Sequence, residues 1–241
     1  VKTLLTILAL ACAVATDAQA QLITNAFTGT FTFTGSSGTN IPFLYNGTTI
    51  PNLAVGALDK IGITNSSSAA NFRGSSWALD NQPAGNLTGT VNLGKYMEFG
   101  LTAAAGSTMN MTNITFGIGR SATGPRQWQW RSSVDNFAAP ITTYATLNAS
   151  LTNSLGILTS PDADAGYTGN VLNLTSGGFD NLPSVTFRLY GYNAQTTLGT
   201  GGLQGPLTFT GASIVPEPST YAMLALAGAG FAGYVIRRRR R

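Results

Sequence analysis

The chain has 241 residues, only 9% of them charged, a formal net charge of +4 and no histidine. The missing histidine takes away the commonest general base and metal ligand at neutral pH, which excludes Ser-His-Asp hydrolases, zinc hydrolases and Cys-His proteases. Five of the thirteen cations are Arg237 to Arg241, and between Gln21 and Pro218 seven cations meet eight acids, a balance of minus one, so the body offers no footprint for nucleic acid.

The chain opens on Lys2, an apolar run from Leu4 to Ala15, and the small residues Ala18 and Ala20. A positive start, an apolar core and a small-x-small site are the three parts of a secretory signal peptide, which places cleavage between Ala20 and Gln21. At ~1.5 Å per residue the apolar run reaches about 18 Å, short of a ~30 Å hydrocarbon core, so a leader fits better than an anchor. Such a leader implies an export translocon and a signal peptidase as partners. Cys12, the only cysteine, falls inside it. The mature protein is then expected to have no disulfide and no thiol chemistry.

Residues 21–214 read as one β domain. Phe27 to Thr34 alternates large apolar with small polar residues, and the same period of two recurs at Asn86 to Leu93, Met111 to Ile118, Val185 to Tyr192 and Leu207 to Ile214. Clusters such as Gly35-Ser36-Ser37-Gly38 and Asp180-Asn181-Leu182-Pro183 mark the turns between them. No amphipathic helix pattern interrupts the series. The expected fold class is all-β, an antiparallel β-sandwich.

Several constellations in this body invite chemistry. Trp128 and Trp130 are two apart and share one face of a strand; that face is either the core or a platform for sugar rings, with Arg131 and Asp135 placed to meet hydroxyls. Asp162-Ala163-Asp164-Ala165-Gly166 resembles part of a calcium loop, but no acidic residue closes it, and a solvated turn is the simpler reading. A glycosidase needs two carboxyls across a cleft. Glu98 is the sole glutamate of the body proper, and Asp59, Asp80, Asp135 and Asp180 are scattered in sequence, so no catalytic pair can be assigned. The body is expected to be non-enzymatic, without metal or cofactor. Asn46, Asn65, Asn86, Asn110, Asn113, Asn148 and Asn173 each open an Asn-x-Ser/Thr triplet, which a chain this rich in Asn, Ser and Thr produces by composition alone.

The body ends at Pro216-Glu217-Pro218, where two prolines stop a strand from continuing. An uncharged, Ala-, Leu- and Gly-rich segment follows over about 220–236, then Arg237, Arg238, Arg239, Arg240 and Arg241. The segment is at the short end of a membrane span, and the arginines hold its end on the cytoplasmic side. Pro-Glu-Pro, apolar segment and arginine run, in that order over 215–241, resemble the PEP-CTERM sorting signal of exported Gram-negative proteins. The resemblance implies an exosortase, a membrane transpeptidase-like cysteine protease, that recognises Pro216, Glu217 and Pro218 and removes the tail. It also implies a producer of exopolysaccharide.

Two stretches of the body, Arg120 to Asp135 and Phe187 to Ala194, are similar to segments of PEP-CTERM surface proteins with jelly-roll-like, carbohydrate-binding-type bodies. The expectation is a protein exported across the inner membrane, held briefly by its tail, then delivered to the surface or matrix, where it binds or packs with exopolysaccharide. A polysaccharide-active surface enzyme is the alternative.

Overall fold

A computed structural model describes residues 22–34, 41–66, 71–80, 87–216 and 228. The expected leader with its Ala20/Gln21 cleavage site lies outside the described residues, as do Glu217, Pro218, most of the apolar segment and the arginine run. No helix among the described residues is long and apolar enough to cross a membrane. The chain divides into a large unit, Asn25–Ser213, and a second unit of Val1–Thr24 with Ile214–Arg241.

In chain order the strands are β1 (Leu22–Phe31), β2 (Leu53–Val55), β3 (Asp59–Ile61), β4 (Thr64–Ser66), β5 (Asn71–Ser75), β6 (Tyr96–Ala103), β7 (Thr108–Arg120), β8 (Gln127–Ser132), β9 (Tyr144–Thr146), β10 (Thr152–Ser154), β11 (Ile157–Thr159), β12 (Ala165–Asn173), β13 (Ser184–Tyr192), β14 (Gly201–Gln204) and β15 (Leu207–Pro216). A first sheet runs β1-β15-β7-β14-β5-β4, with β12 also on β7 and β9 on β12; a second runs β10-β11-β8-β13-β6-β2, with β3 also on β6. Pairing is antiparallel in both. The fold is therefore all-β and sandwich-like, as the alternation predicts.

The inner faces meet through aromatic rings. Phe31 of the first sheet lies 5.8 Å from Phe99 of the second, and Phe116 of the first lies 5.4 Å from Trp130 of the second, both edge to face. Along β6, Met97, Phe99, Leu101 and Ala103 are buried, and along β13 so are Val185, Phe187 and Leu189. In β7 the buried set slips from Met109 and Met111 to Ile114, Phe116 and Ile118. The change of phase falls at Thr112 and Asn113, two consecutive residues that are both half-buried.

One expected strand is absent. Residues 87–92 alternate as Asn86–Leu93 promised, yet they adopt no regular structure, and Leu93 is exposed. The stretch packs against its surroundings instead of pairing with a strand. A Cβ built on Gly89 would lie 2.2 Å from the Asn193 side-chain oxygen, an approach only glycine allows.

Several of the few charges of the body are used inside it. Arg120, fully buried, donates to the carbonyls of Pro161, Ala122 and Gly124 at 2.8, 2.7 and 3.0 Å and to Asp162 at 2.9 Å. Arg126 donates to both oxygens of Asp80 at 2.7 and 2.6 Å, with both side chains out of water. Lys60 projects inward with its ammonium 4.1 Å from the centre of the Phe72 ring. Burial pulls its pKa down from 10.5 to about 8, against the opposing pull of Asp59.

Because the folded value lies below the unfolded one, between these two pH values the unfolded chain binds more protons and stability rises with pH; below about pH 8 the full cost of burying the charge remains. Denaturant midpoints measured from about pH 7 to about pH 10 should climb in the wild type, and Lys60→Met should flatten the climb. Tyr144 and Tyr192, both raised by burial, turn the curve down at the alkaline end.

Candidate functional site on the outer face of the second sheet

Trp128 and Trp130 fall on the inner face, each 1% exposed. The platform reading of these indoles fails for a geometric reason. Trp128 sits on two glycines, since a Cβ on Gly191 or Gly201 would approach its ring to 2.9 or 2.8 Å, and it packs edge to face on Trp77 at 5.6 Å. Sugar cannot reach either ring. Arg131, one residue on, necessarily points the other way.

The outer face of the second sheet gathers what the sequence scatters. Strand register places Asp59 beside Glu98, Glu98 beside Arg188, and Arg188 beside Arg131, in one row across β3, β6, β13 and β8. The next row holds Ile61, Tyr96, Tyr190 and Gln129. Arg188 Nε donates to Glu98 Oε2 at 2.9 Å, and its guanidinium lies between two rings, 4.2 Å from the centre of Tyr96 and 3.7 Å from that of Phe137. Tyr96 and Tyr190 are 5.4 Å apart, and the Arg131 guanidinium stands 5.6 Å over Tyr190.

Phe137 is delivered by the turn after β8. Ser133–Asp135 forms one 3-10 turn, after which Asn136 and Phe137 both take left-handed backbone angles, φ 57° and 60°. Phe137 N–H donates to Ser132 O at 2.8 Å, and Arg131 Nη1 donates to the Phe137 and Ala138 carbonyls at 2.8 and 2.9 Å. Asp135 is exposed and accepts from Ala139 N–H at 3.0 Å. Arg131 and Asp135 thus build the turn that carries the ring. The sequence reading named them as sugar contacts and missed Tyr96, Phe137 and Arg188, which are spread over 92 residues of the chain, from 96 to 188.

Burial works against the Arg188 charge, but the hydrogen bond with Glu98, the Tyr190 hydroxyl and the nearby negative groups outweigh it and raise its pKa. Burial, then Glu98, raises that of Tyr96. The Tyr190 hydroxyl is itself buried and, although near enough to favour the Arg188 charge, finds no partner at full hydrogen-bond geometry. Tyr96 and Tyr190 are buried beneath the row, so it offers acceptors and donors, two anions balanced by two cations, beside the half-buried ring of Phe137.

The other sequence candidates do not join this face. Asp80 is committed to Arg126. Asp180 is exposed in the connection from β12 to β13. Asp162 gives one oxygen to Arg120 and the other to Gln195 Nε2 at 2.7 Å, so a guanidinium stands where the calcium-loop reading would put a cation. Among the described residues no group of three or more His, Cys, Asp or Glu is placed to hold a metal ion. Asn46, Asn110, Asn148 and Asn173 spend side-chain atoms on neighbouring backbone.

The class defined so far is a sandwich-like all-β protein with an aromatic and ionic outer face. Residues 215–241 match the PEP-CTERM protein-sorting motif. That match supports an exported protein sorted by an exosortase, with the tail as the segment processed. No curated protein matches the chain.

The Arg188–Glu98 pair is about one-quarter exposed at each partner, so its coupling should be modest. A double-mutant cycle on Arg188→Ala and Glu98→Ala should give about 1 kcal/mol of coupling or less, shrinking at high salt.

Proposed function

We propose that this protein is delivered to the cell surface or matrix by its tail and holds exopolysaccharide there, without cleaving it, through the outer face of the second sheet. The carrying observation is the Arg188 guanidinium clasped between Tyr96 and Phe137 while bonded to Glu98. Hydroxyl-rich polymers need acceptors and donors at one place together with apolar surface for the C–H sides of their rings, and this arrangement supplies all three. A jelly-roll-like reading of the sandwich agrees with it. The leader, the cytoplasmic arginine end and passage across the inner membrane belong to the same proposal.

A second reading, a polysaccharide-active enzyme, draws on the register neighbours Asp59 and Glu98. Directly opposed residues on a sheet have Cβ atoms about 4.5–5.5 Å apart, compatible with the roughly 5–5.5 Å carboxyl spacing of a retaining glycosidase. Glu98, however, is already bonded to Arg188, and Asp59 Oδ1 accepts from Lys60 N–H at 2.7 Å. The binding reading is preferred because both carboxylates already have partners.

Two measurements separate these readings. In affinity electrophoresis through the producer's polysaccharide, wild type should be retarded without releasing oligosaccharide, and Arg188→Ala should weaken retention by about tenfold, or about 1.4 kcal/mol. Oligosaccharide release that vanishes in Glu98→Gln would install the enzyme reading instead. Processing is read by intact mass: the surface form should lack residues 221–241, and a surface form still carrying Arg237 to Arg241 would mean a retained anchor.

A further inference from the structure

Left-handed backbone angles are ordinary for glycine and asparagine and costly for other side chains. Among the described residues of the large unit most non-glycine residues with positive φ are asparagines; the exceptions are Ser76, Phe137 and Leu155. Leu155, at φ 51°, is followed by Gly156 at φ 84° in the hairpin joining β10 to β11. Two consecutive positive angles make a tight hairpin turn in which Asn-Gly is the favoured pair. The chain places leucine there, and leaves its side chain 81% exposed. The residue therefore costs stability twice, through its backbone and through its solvent-facing apolar surface.

The two strained turns lie on one edge of the second sheet. β11 pairs with β8 at Gln127 to Gln129. Beyond that point the same edge of β8 is taken up by the segment after the 3-10 turn, with Phe137 N–H on Ser132 O and Ile141 N–H on Trp130 O, both at 2.8 Å. Gly156 abuts this segment closely: a Cβ on it would lie 2.6 Å from Ile141 O and 2.9 Å from Pro140 Cβ. Three to four residues of chain, a span of at most roughly 10–13 Å, therefore separate the turn bearing Phe137 from the segment that Gly156 of the hairpin tip abuts. Strain at two adjacent turns, one holding the half-buried Phe137 ring against Arg188 and the other an exposed leucine, where asparagine or glycine would be more stable, is the pattern expected where a side chain is kept for contact.

We infer that Phe137 and Leu155 form the contact rim of the site, gripping the C–H faces of successive sugar rings of a neutral polysaccharide whose hydroxyls meet Glu98. This inference rests on the polysaccharide-holding reading above. Neutral polymers are favoured over uronate or sulfated ones because Asp59 and Glu98 balance Arg188 and Arg131 in the row, and exposed Asp135 tips the surroundings towards negative charge. A polyanion would meet no surplus of cations there.

The strain makes the test unusually clean. Leu155→Asn restores the favoured hairpin pair, so its melting midpoint should match or exceed wild type while retention by neutral polysaccharide falls severalfold. Phe137→Gly removes the stacked ring and relaxes the backbone, and should lose about tenfold in retention while remaining folded. Leu198, 83% exposed but without a positive φ, provides the control: Leu198→Asn should change neither quantity. The full chain and its variants are run against the producer's polysaccharide, a neutral glucan and a polyuronate. Wild type held by a neutral polymer, with Leu155→Asn and Phe137→Gly held equally well, overturns the rim and leaves the holding function standing. Retention on the polyuronate alone overturns the neutral class. A fall in the melting midpoint of Leu155→Asn overturns the strain argument, and no retention of wild type on any polymer removes the holding function and the rim together.

Discussion

Phe99 sits where the two sheets touch. It lies 5.8 Å from both Phe31 and Phe209 of the first sheet, and 5.5 and 6.4 Å from Phe187 and Trp130 of its own. Successive residues of a strand point to opposite faces, so fixing Phe99 inward fixes Tyr96 and Glu98 outward, and the register with β13 and β8 carries Arg188 and Arg131 outward with them. A slip of one residue would expose the phenylalanine and bury the glutamate. The outer row is therefore a by-product of core packing, and its geometry is as stiff as the aromatic cluster beneath it.

The same economy governs charge. With few ionic groups in the body, two arginines are spent as interior fasteners: Arg120 gathers the carbonyls of the loop after β7 and the turn at Pro161, and Arg126 closes on Asp80. Burying an ion pair in this way repays its desolvation only when further hydrogen bonds complete the shell, which the carbonyl contacts of Arg120 supply. What remains for the surface is threonine, asparagine and serine. The hydroxyl pairs Thr30 with Thr208 at 3.0 Å and Thr112 with Thr210 at 2.8 Å belong to this regime. Against that background, the charged and aromatic row of the second sheet stands out as a local departure.

The long strands were legible because each buries one face and advertises it with a period of two, as Phe27 to Phe33 and Val185 to Leu189 do. That signal reports a buried face only when a neighbouring strand exists to pair with, and for 87–92 none does among the described residues. Strands of three residues such as β2, β3, β10 and β11 are too short to show any period. The tryptophan pair was legible as two rings on one face, but which face depends on Gly191 and Gly201 lying opposite, and that is tertiary information. The clasp around Arg188 was not legible at all: Tyr96, Phe137 and Arg188 meet through register and a turn whose left-handed Phe137 follows no sequence rule. Conversely, the sorting motif was fully legible because its three parts follow one another along the chain.

β15 extends to Pro216, and the sorting motif begins at residue 215. The last rung of the sheet and the first residues of the address are thus the same residues, with no spacer between them. If the tail is removed just beyond such a junction, as proposed, the domain keeps almost no leash, and any residence at a surface falls to the kinetics of its own contacts.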